Sequence, residues 1–402
     1  MYKRQVVGDI DVDAIEAKIK ALWADVPARE NRGERPLYSV DDNAEPIVAI
    51  VTDKEGQYTR IELDYKKAKL PEALRGTDVD YTLSMAQNLI CAMLNNRLQD
   101  LAVDPNASFV GAGSYYTELV KEKDAFVAIY VAKDGQETQA YKDLLTQMEK
   151  MRRYGFTQSE LDRVWTETES SYEKQYNERN SVRNITYTRE YIRNFLDDEV
   201  IPGIEWEYKT LPMLRQMITL DMLNQMAESF ITDENLIIAI TAPEKESVNL
   251  PTEQQIRSLL AESKTWEIAA PVEEAIRTTL VEKAPKAGKI KKTAYNEALG
   301  TTEWTLSNGV RVILKPTTFK QDEILMSARS FGGTSTVADV NDLPSAQFAT
   351  EIIEFCGIGD FSMTELQKAL TGKYVSVSPS ISGTTDAMSG SCLLYTSPSP
   401  RD

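Results

Sequence analysis

The 402-residue sequence predicts an α+β protein in which antiparallel sheets pack against helices and one domain type recurs. Three observations lead there. Short apolar runs alternate with longer stretches whose apolar residues return at helical spacing. The polar KEKD at 121–124 and SNG at 307–309 separate strand-like segments and mark hairpins. Finally, VVGDIDVDAIEAKIKALW has the order strand, turn, helix, and LIIAITAPEKESVNLPTEQQIRSLL repeats that order about 230 residues later.

The elements follow in chain order. Val6–Ile10 reads as a strand; Asp13 is the expected N-cap of the next helix, with Glu16 at capping-box spacing. Ile15, Ile19, Leu22 and Trp23 form that helix's apolar stripe. A polar, Pro-bearing stretch from Val26 to Glu45 reads as a linker. A second domain begins near Pro46 with the strands PIVAIVTD and YTRIELDYKK, then a helix from about Asp80 to Ala102. ASFVGAGSYYTEL and DAFVAIYVA form a hairpin. Helices are expected over Thr138–Tyr154, from Thr157 (with Glu160 at the box position) toward Asn177, over Asn184–Phe195 and over Thr219–Phe230. LIIAITAP and TEQQIRSLLAES supply another strand and helix. Between Trp266 and Thr293, AAPVEEAIRTTL suggests a short helix and the basic VEKAPKAGKIKKTA a solvated hinge. A third domain opens with EWTLSNGVRVILKPT and continues through the strand ILMSARSFGG. The helix SAQFATEIIEF, ending near Gly357 or Gly359, follows, then SMTELQKAL with a Ser362–Glu365 box and the strand KYVSVSPSIS.

Composition removes several function classes. With 45 Lys and Arg against 62 Asp and Glu, the formal charge is -17, which argues against nucleic acid as a partner. No apolar run approaches the ~18 residues of a spanning helix. There is no histidine, so histidine triads and histidine-ligated zinc sites cannot be built from this sequence. Cys91, Cys356 and Cys392 are isolated and suggest neither a disulfide framework nor a metal site. DIDVD at 9–13 begins like a calcium loop, but the sixth and twelfth positions are Ala14 and Lys20. Gly111–Gly113 sits between strands, where a bulge or close packing is expected, and Phe331–Gly333 reads as a turn. Asn106 and Asn184 match glycosylation sequons. The aromatic-rich Tyr187–Phe195 suits either packing or the wall of a peptide-binding chamber.

In this order and spacing, VVGDIDVDAIEAKI, the 46–260 pattern and WTLSNGVRVILKPTTFKQDEI resemble an internal part of a pitrilysin/insulinase-type zinc metallopeptidase, the inverzincin family. The resemblance implies repeated metallopeptidase-type domains: the end of a first domain at 6–30, a linker at 31–45, a second, non-catalytic domain at 46–260, an interdomain linker at 261–298 and part of a third domain at 299–391. Residues 1–5 and 392–402 resemble translated sequencing-adapter DNA read from opposite strands, so neither terminus is expected to be native. A catalytic first domain and a fourth domain are then expected outside the sequence, and the parent is expected to be periplasmic or membrane-associated in bacteria.

The family's chemistry rests on H-x-x-E-H plus a distant glutamate. Two imidazoles one helical turn apart and a carboxylate hold zinc, and the intervening glutamate takes a proton from the activated water. An ungapped comparison places that motif on Phe348–Ile352, with Glu351 at the carboxylate position and Phe348 and Ile352 where the ligands belong. An apolar pair cannot hold zinc. No catalytic, cofactor-binding or metal-binding residue is therefore assigned: the resemblance implies Zn2+ in the parent and none here, with a peptide or protein as the parent's substrate. Two alternatives stay open, a non-catalytic scaffold subunit assisting a catalytic partner and an unrelated hydrolase using two carboxylates.

Overall fold

The fold is described from a computed structural model covering residues 6–27, 33, 36, 38–197, 199–273, 275, 277–320 and 322–394. The adapter-like residues 1–5 and 395–402, and most of 28–37 in the expected first linker, lie outside the described residues. The chain divides into two units, Met1–Trp165 with Tyr172–Glu273, and Thr166–Ser171 with Glu274–Asp402.

The first unit opens with α1 (Val12–Leu22). There follow β1 (Ile47–Asp53), β2 (Thr59–Ala68), α2 (Asp78–Ala102), β3 (Phe109–Val120), β4 (Lys123–Ala132) and α3 (Glu137–Tyr154). Four further helices, α4 (Gln158–Asn177), α5 (Asn184–Asp197), α6 (Ile204–Met217) and α7 (Leu220–Phe230), lead to β5 (Leu236–Pro243) and α8 (Glu253–Ser263). The sheet order is β1-β5-β2-β4-β3. All neighbours are antiparallel except β1 and β5, which run parallel with Ile47 opposite Ile237.

Alternation in β2 decides which face is covered. Ile61, Leu63 and Tyr65 are buried, while Arg60, Glu62 and Asp64 point the other way. Phe126, Ala128 and Tyr130 of β4 and Ile238 and Ile240 of β5 share the buried face. Against them pack Leu89, Met93 and Leu94 of α2, Leu144 and Met148 of α3, Leu223 of α7 and Ile256 of α8. The hairpin is irregular at Phe109/Gly111, the expected bulge.

Capping chemistry sets the helix starts. Thr157 accepts from Glu160 N while Glu160 accepts from Thr157 N, the reciprocal box the spacing predicts. A nearly buried pair braces the same corner: Arg97 Nη2 donates to Glu160 Oε2 and to Gly155 O, each at 2.8 Å. Its guanidinium also lies 4.5 Å over the Phe156 ring.

Several expectations change. Val6–Ile10 forms no strand, because an apolar run needs a neighbour to pair with and none of the described strands takes it. Asp11, not Asp13, caps α1, accepting from Ala14 N at 3.0 Å; Asp13 lies in the first turn. The described residues of Ala269–Leu280 are not helical. Helix α6 was not expected, since Pro212 lies inside it.

The second unit has two three-stranded sheets. β6 (Ile290–Asn296), β7 (Thr301–Leu306) and β8 (Arg311–Leu314) form an antiparallel meander; β6 falls in the stretch read as linker. β9 (Glu323–Phe331), α9 (Leu343–Phe355), α10 (Met363–Ala369), β10 (Val375–Ile381) and β11 (Thr385–Leu393) follow, with sheet order β10-β11-β9. Ser362 and Glu365 make the predicted capping box on α10. Cys392 and Leu393 continue β11 opposite Ile324 and Glu323.

Candidate functional site

The N-terminal half of α2 forms one wall of a cleft of about 400 Å3 in the first unit. Asp80, Ser84 and Asn88 recur at four-residue spacing, so one helix face presents all three. Lys69 and Arg75, from the segment between β2 and α2, form a second wall; Glu118 of β3 and Asp124 of β4 form a third. Tyr172 of α4 and Glu207 of α6 close the floor, and Asp197 and Glu199 the rim. Six carboxylates thus face two cations.

Internal pairing uses part of this charge. Lys69 pairs with Glu118, and Lys121 reaches Glu118 Oε1 at 3.2 Å and Asp197 Oδ1 at 2.8 Å. Burial pushes the Glu118 carboxyl up, but its two lysine partners outweigh that and hold it below the usual range. Asp124 moves the other way: burial raises it, with Lys69 opposing. At the floor the Tyr81 hydroxyl lies 3.3 Å from Glu207 Oε1 and 3.2 Å from the Tyr172 hydroxyl, and Trp206 packs edge-on to Tyr81 at 5.1 Å. Burial raises Glu207 despite the Tyr81 hydrogen bond. These groups offer acceptors, phenols and amides that suit binding a polar ligand.

Beside the cleft, Asn95 of α2 holds edge strand β3. Its Oδ1 accepts from Ser114 N at 2.6 Å and its Nδ2 donates to Ser114 O at 3.0 Å, so a strand added there must displace this side chain.

Of the singled-out residues, Glu351 is exposed on α9, and Phe348 and Ile352 are 57% and 58% exposed. Their hydrocarbon side chains do not fit zinc. Among the described residues no group of three or more His, Cys, Asp or Glu is placed to hold a metal ion. Tyr187 and Tyr191 stack at 6.4 Å along α5, whose last residue, Asp197, reaches the cleft rim. Sequence reasoning named none of the cleft residues as a site. They come from positions 69 to 207 and converge only through tertiary packing.

Residues 5–167 match the family model described as "Peptidase M16 inactive domain". A relative from Arabidopsis thaliana, described as zinc protease PQQL-like, is 25% identical over 367 residues, 90% of this chain and 35% of that protein. The periplasmic protease PqqL from Escherichia coli superposes with a TM-score of 0.58 at 19% identity, covering 96% of this chain and 42% of that one. The ferredoxin protease FusC, solved with Arabidopsis ferredoxin, gives 0.57 at 16% identity with the same coverage. This chain therefore spans well under half the length of these relatives. Residues 5–167 thus match the inactive domain of M16 peptidases, and the chain as a whole is similar in sequence and fold to pitrilysin/insulinase-type, or M16, metallopeptidases.

Proposed function

We propose that this chain is the non-catalytic part of a zinc metalloendopeptidase that hydrolyses peptide bonds. In this reading residues 46–260 are a second peptidase-like domain, 299–391 part of a third, and 6–30 the end of a first. The chain supplies chamber wall and scaffold, and the zinc-binding H-x-x-E-H lies on another domain of the parent. The observation that carries the reading is the match of residues 5–167 to an inactive-domain family.

The side chains at the third domain's motif position agree, since Phe348 and Ile352 offer no donor atom to a metal. A periplasmic parent is supported by the likeness to a periplasmic protease. No helix among the described residues is long and apolar enough to cross a membrane. The acidic cleft beside α2 is where this chain would meet a peptide, with Lys69 holding Glu118 of its wall and Lys121 holding Asp197 of its rim.

The test is metal analysis and fluorogenic-peptide hydrolysis on the purified 402-residue chain. The expected result is substoichiometric zinc and no chelator-sensitive turnover. One zinc per chain with turnover abolished by a chelator would sink the reading. In the untruncated gene, H-x-x-E-H upstream would favour the peptidase over a scaffold subunit.

A further inference from the structure

In the first unit, the strand sequences IVAIVTD of β1, AFVAIYVA of β4 and LIIAITAP of β5 are apolar on both faces, the pattern of strands covered on both sides. The core described above lies on one face only. Strand register gives the rows of the other. Asp64 of β2 lies between Ile237 and Val127, with Ile47 and Tyr115 beyond them. In the next row Glu62 lies between Ala239 and Ile129, with Ala49 and Gly113 beyond. Ile47, Val51 and Tyr115 are 46%, 58% and 40% exposed. An open apolar patch of this kind marks a surface that another chain covers.

Two features define what covers it. The first is the pair Gly111 and Gly113 on β3, neither of which has a positive φ, so backbone conformation does not call for glycine there. A Cβ at 111 would meet nothing within 4 Å, and one at 113 only Asn95 Oδ1 at 4.0 Å. Glycine inside a strand marks a place where another backbone comes close. The second feature is charge in the middle of the apolar face. Arg60 Nη2 reaches Glu62 Oε2 at 3.0 Å, whereas Asp64 Oδ1 is buried with no hydrogen-bond donor among the described residues. Lys66, next along β2, is turned to Asp41 O, and Tyr115 is the titratable group facing from β3; the β1, β4 and β5 members of these two rows carry none. A second copy of this face would set carboxylates against carboxylates, so the fitting partner brings a cation between aliphatic side chains.

We propose that this open sheet face binds an extended peptide segment whose backbone passes over Gly111 and Gly113 and whose lysine or arginine, flanked by aliphatic residues, meets Asp64 and Glu62. The surface is separate from the cleft beside α2. The inference rests on the chamber-wall part of the reading above, but binding is measured on this chain without turnover, so its failure and that of the metal test are told apart. Burial holds the Asp64 carboxyl up at about 7, with Glu62 adding to it. A bound cation favours the ionised form, so binding releases a proton and strengthens as pH rises through 7.

Fluorescence anisotropy of a fluorescein-labelled dodecapeptide with a central Val-Lys-Val, titrated with the full folded chain, tests this. Replacing its lysine by norleucine should weaken binding about tenfold, the loss of one charge contact. Asp64→Asn should do the same and remove the pH dependence, while the unaltered chain should bind several-fold more weakly at pH 6 than at pH 8. Gly113→Val fills the space over β3 with a strand-favouring side chain, so it should weaken binding without lowering the urea midpoint. No binding of the lysine peptide, equal binding of the norleucine peptide, or an Asp64→Asn chain that binds as the parent does would overturn the cation site. Unchanged binding by Gly113→Val would overturn the path of the backbone. Loss of binding in Glu207→Gln with none in Asp64→Asn would put the peptide in the cleft, and self-association that competes with the peptide would make a second copy the occupant; either result sinks the proposal.

Discussion

Replacing Arg97 by alanine tests the reasoning about the first unit at its most loaded point. Arg97 and Glu160 side chains are 10% and 11% exposed, so water does little to replace a lost partner. Arg97→Ala strands the Glu160 carboxylate, removes a donor from Gly155 O and uncovers the Phe156 ring. Leaving one member of a nearly buried ion pair alone costs about 3–5 kcal/mol. In a cycle with Glu160→Gln, about 2 kcal/mol should appear as coupling between the two sites. Urea unfolding followed by tryptophan fluorescence in a Trp304→Phe background reads the first unit, because Trp23, Trp165, Trp206 and Trp266 all belong to it. The sign with pH follows from Glu160. Burial pushes its carboxyl up, but Arg97 and Thr157 outweigh that and hold it below the ordinary value. A depressed carboxylate gives stability that is present above its unfolded pKa and lost as pH falls through its folded pKa. The difference between parent and Arg97→Ala should therefore shrink in acid. A loss under about 1 kcal/mol at neutral pH, or coupling under about 0.5 kcal/mol, would refute the assignment.

Three further outcomes are expected. Gly357 has a φ of 78°, and a Cβ there would stand 2.0 Å from Phe361 O; Gly357→Ala should destabilise the second unit by more than ~1 kcal/mol, read by Trp304. Asp64, half-buried beside Glu62, is raised to about 7 chiefly by burial, with Glu62 adding to it. A raised carboxyl favours folding below its unfolded pKa and loses that advantage as pH rises toward 7, so Asp64→Asn should gain stability relative to the parent across pH 4–7 and level off above. A gain that is flat with pH would contradict this. Burial pushes the Cys91 thiol up to about 12, whereas Cys356 is exposed; a thiol reagent should label Cys356 at once and Cys91 only on unfolding, checked by peptide mapping.

Local chemistry made much of the fold legible. The Thr157–Glu160 and Ser362–Glu365 boxes, the 307–309 turn and the Gly111 bulge each need only a few adjacent residues, and each forms as read. Failures came where distant groups decide. Val6–Ile10 has strand chemistry without a partner, Pro212 is tolerated because Leu211 and Leu214 are buried around it, and Ile290–Asn296 becomes a strand because β7 lies beside it. The cleft was invisible for the same reason. Asp80, Glu118, Tyr172 and Glu207 are ordinary polar residues in sequence and line one cleft only after the helices pack.

The strand order has a consequence for biosynthesis. β5 sits between β1 and β2, yet it leaves the ribosome almost 170 residues after β2. Until Leu236–Pro243 emerges, β1 has no neighbour, and the edge of β2 from Arg60 to Tyr65 presents backbone N–H and C=O groups with no strand to pair with. The late strand must enter between two waiting edges, a high-contact-order step that delays closure until nearly all of the unit is made. A nascent chain stalled before Leu236 would be an open sheet with two sticky edges, the form that chaperones bind and that self-associates.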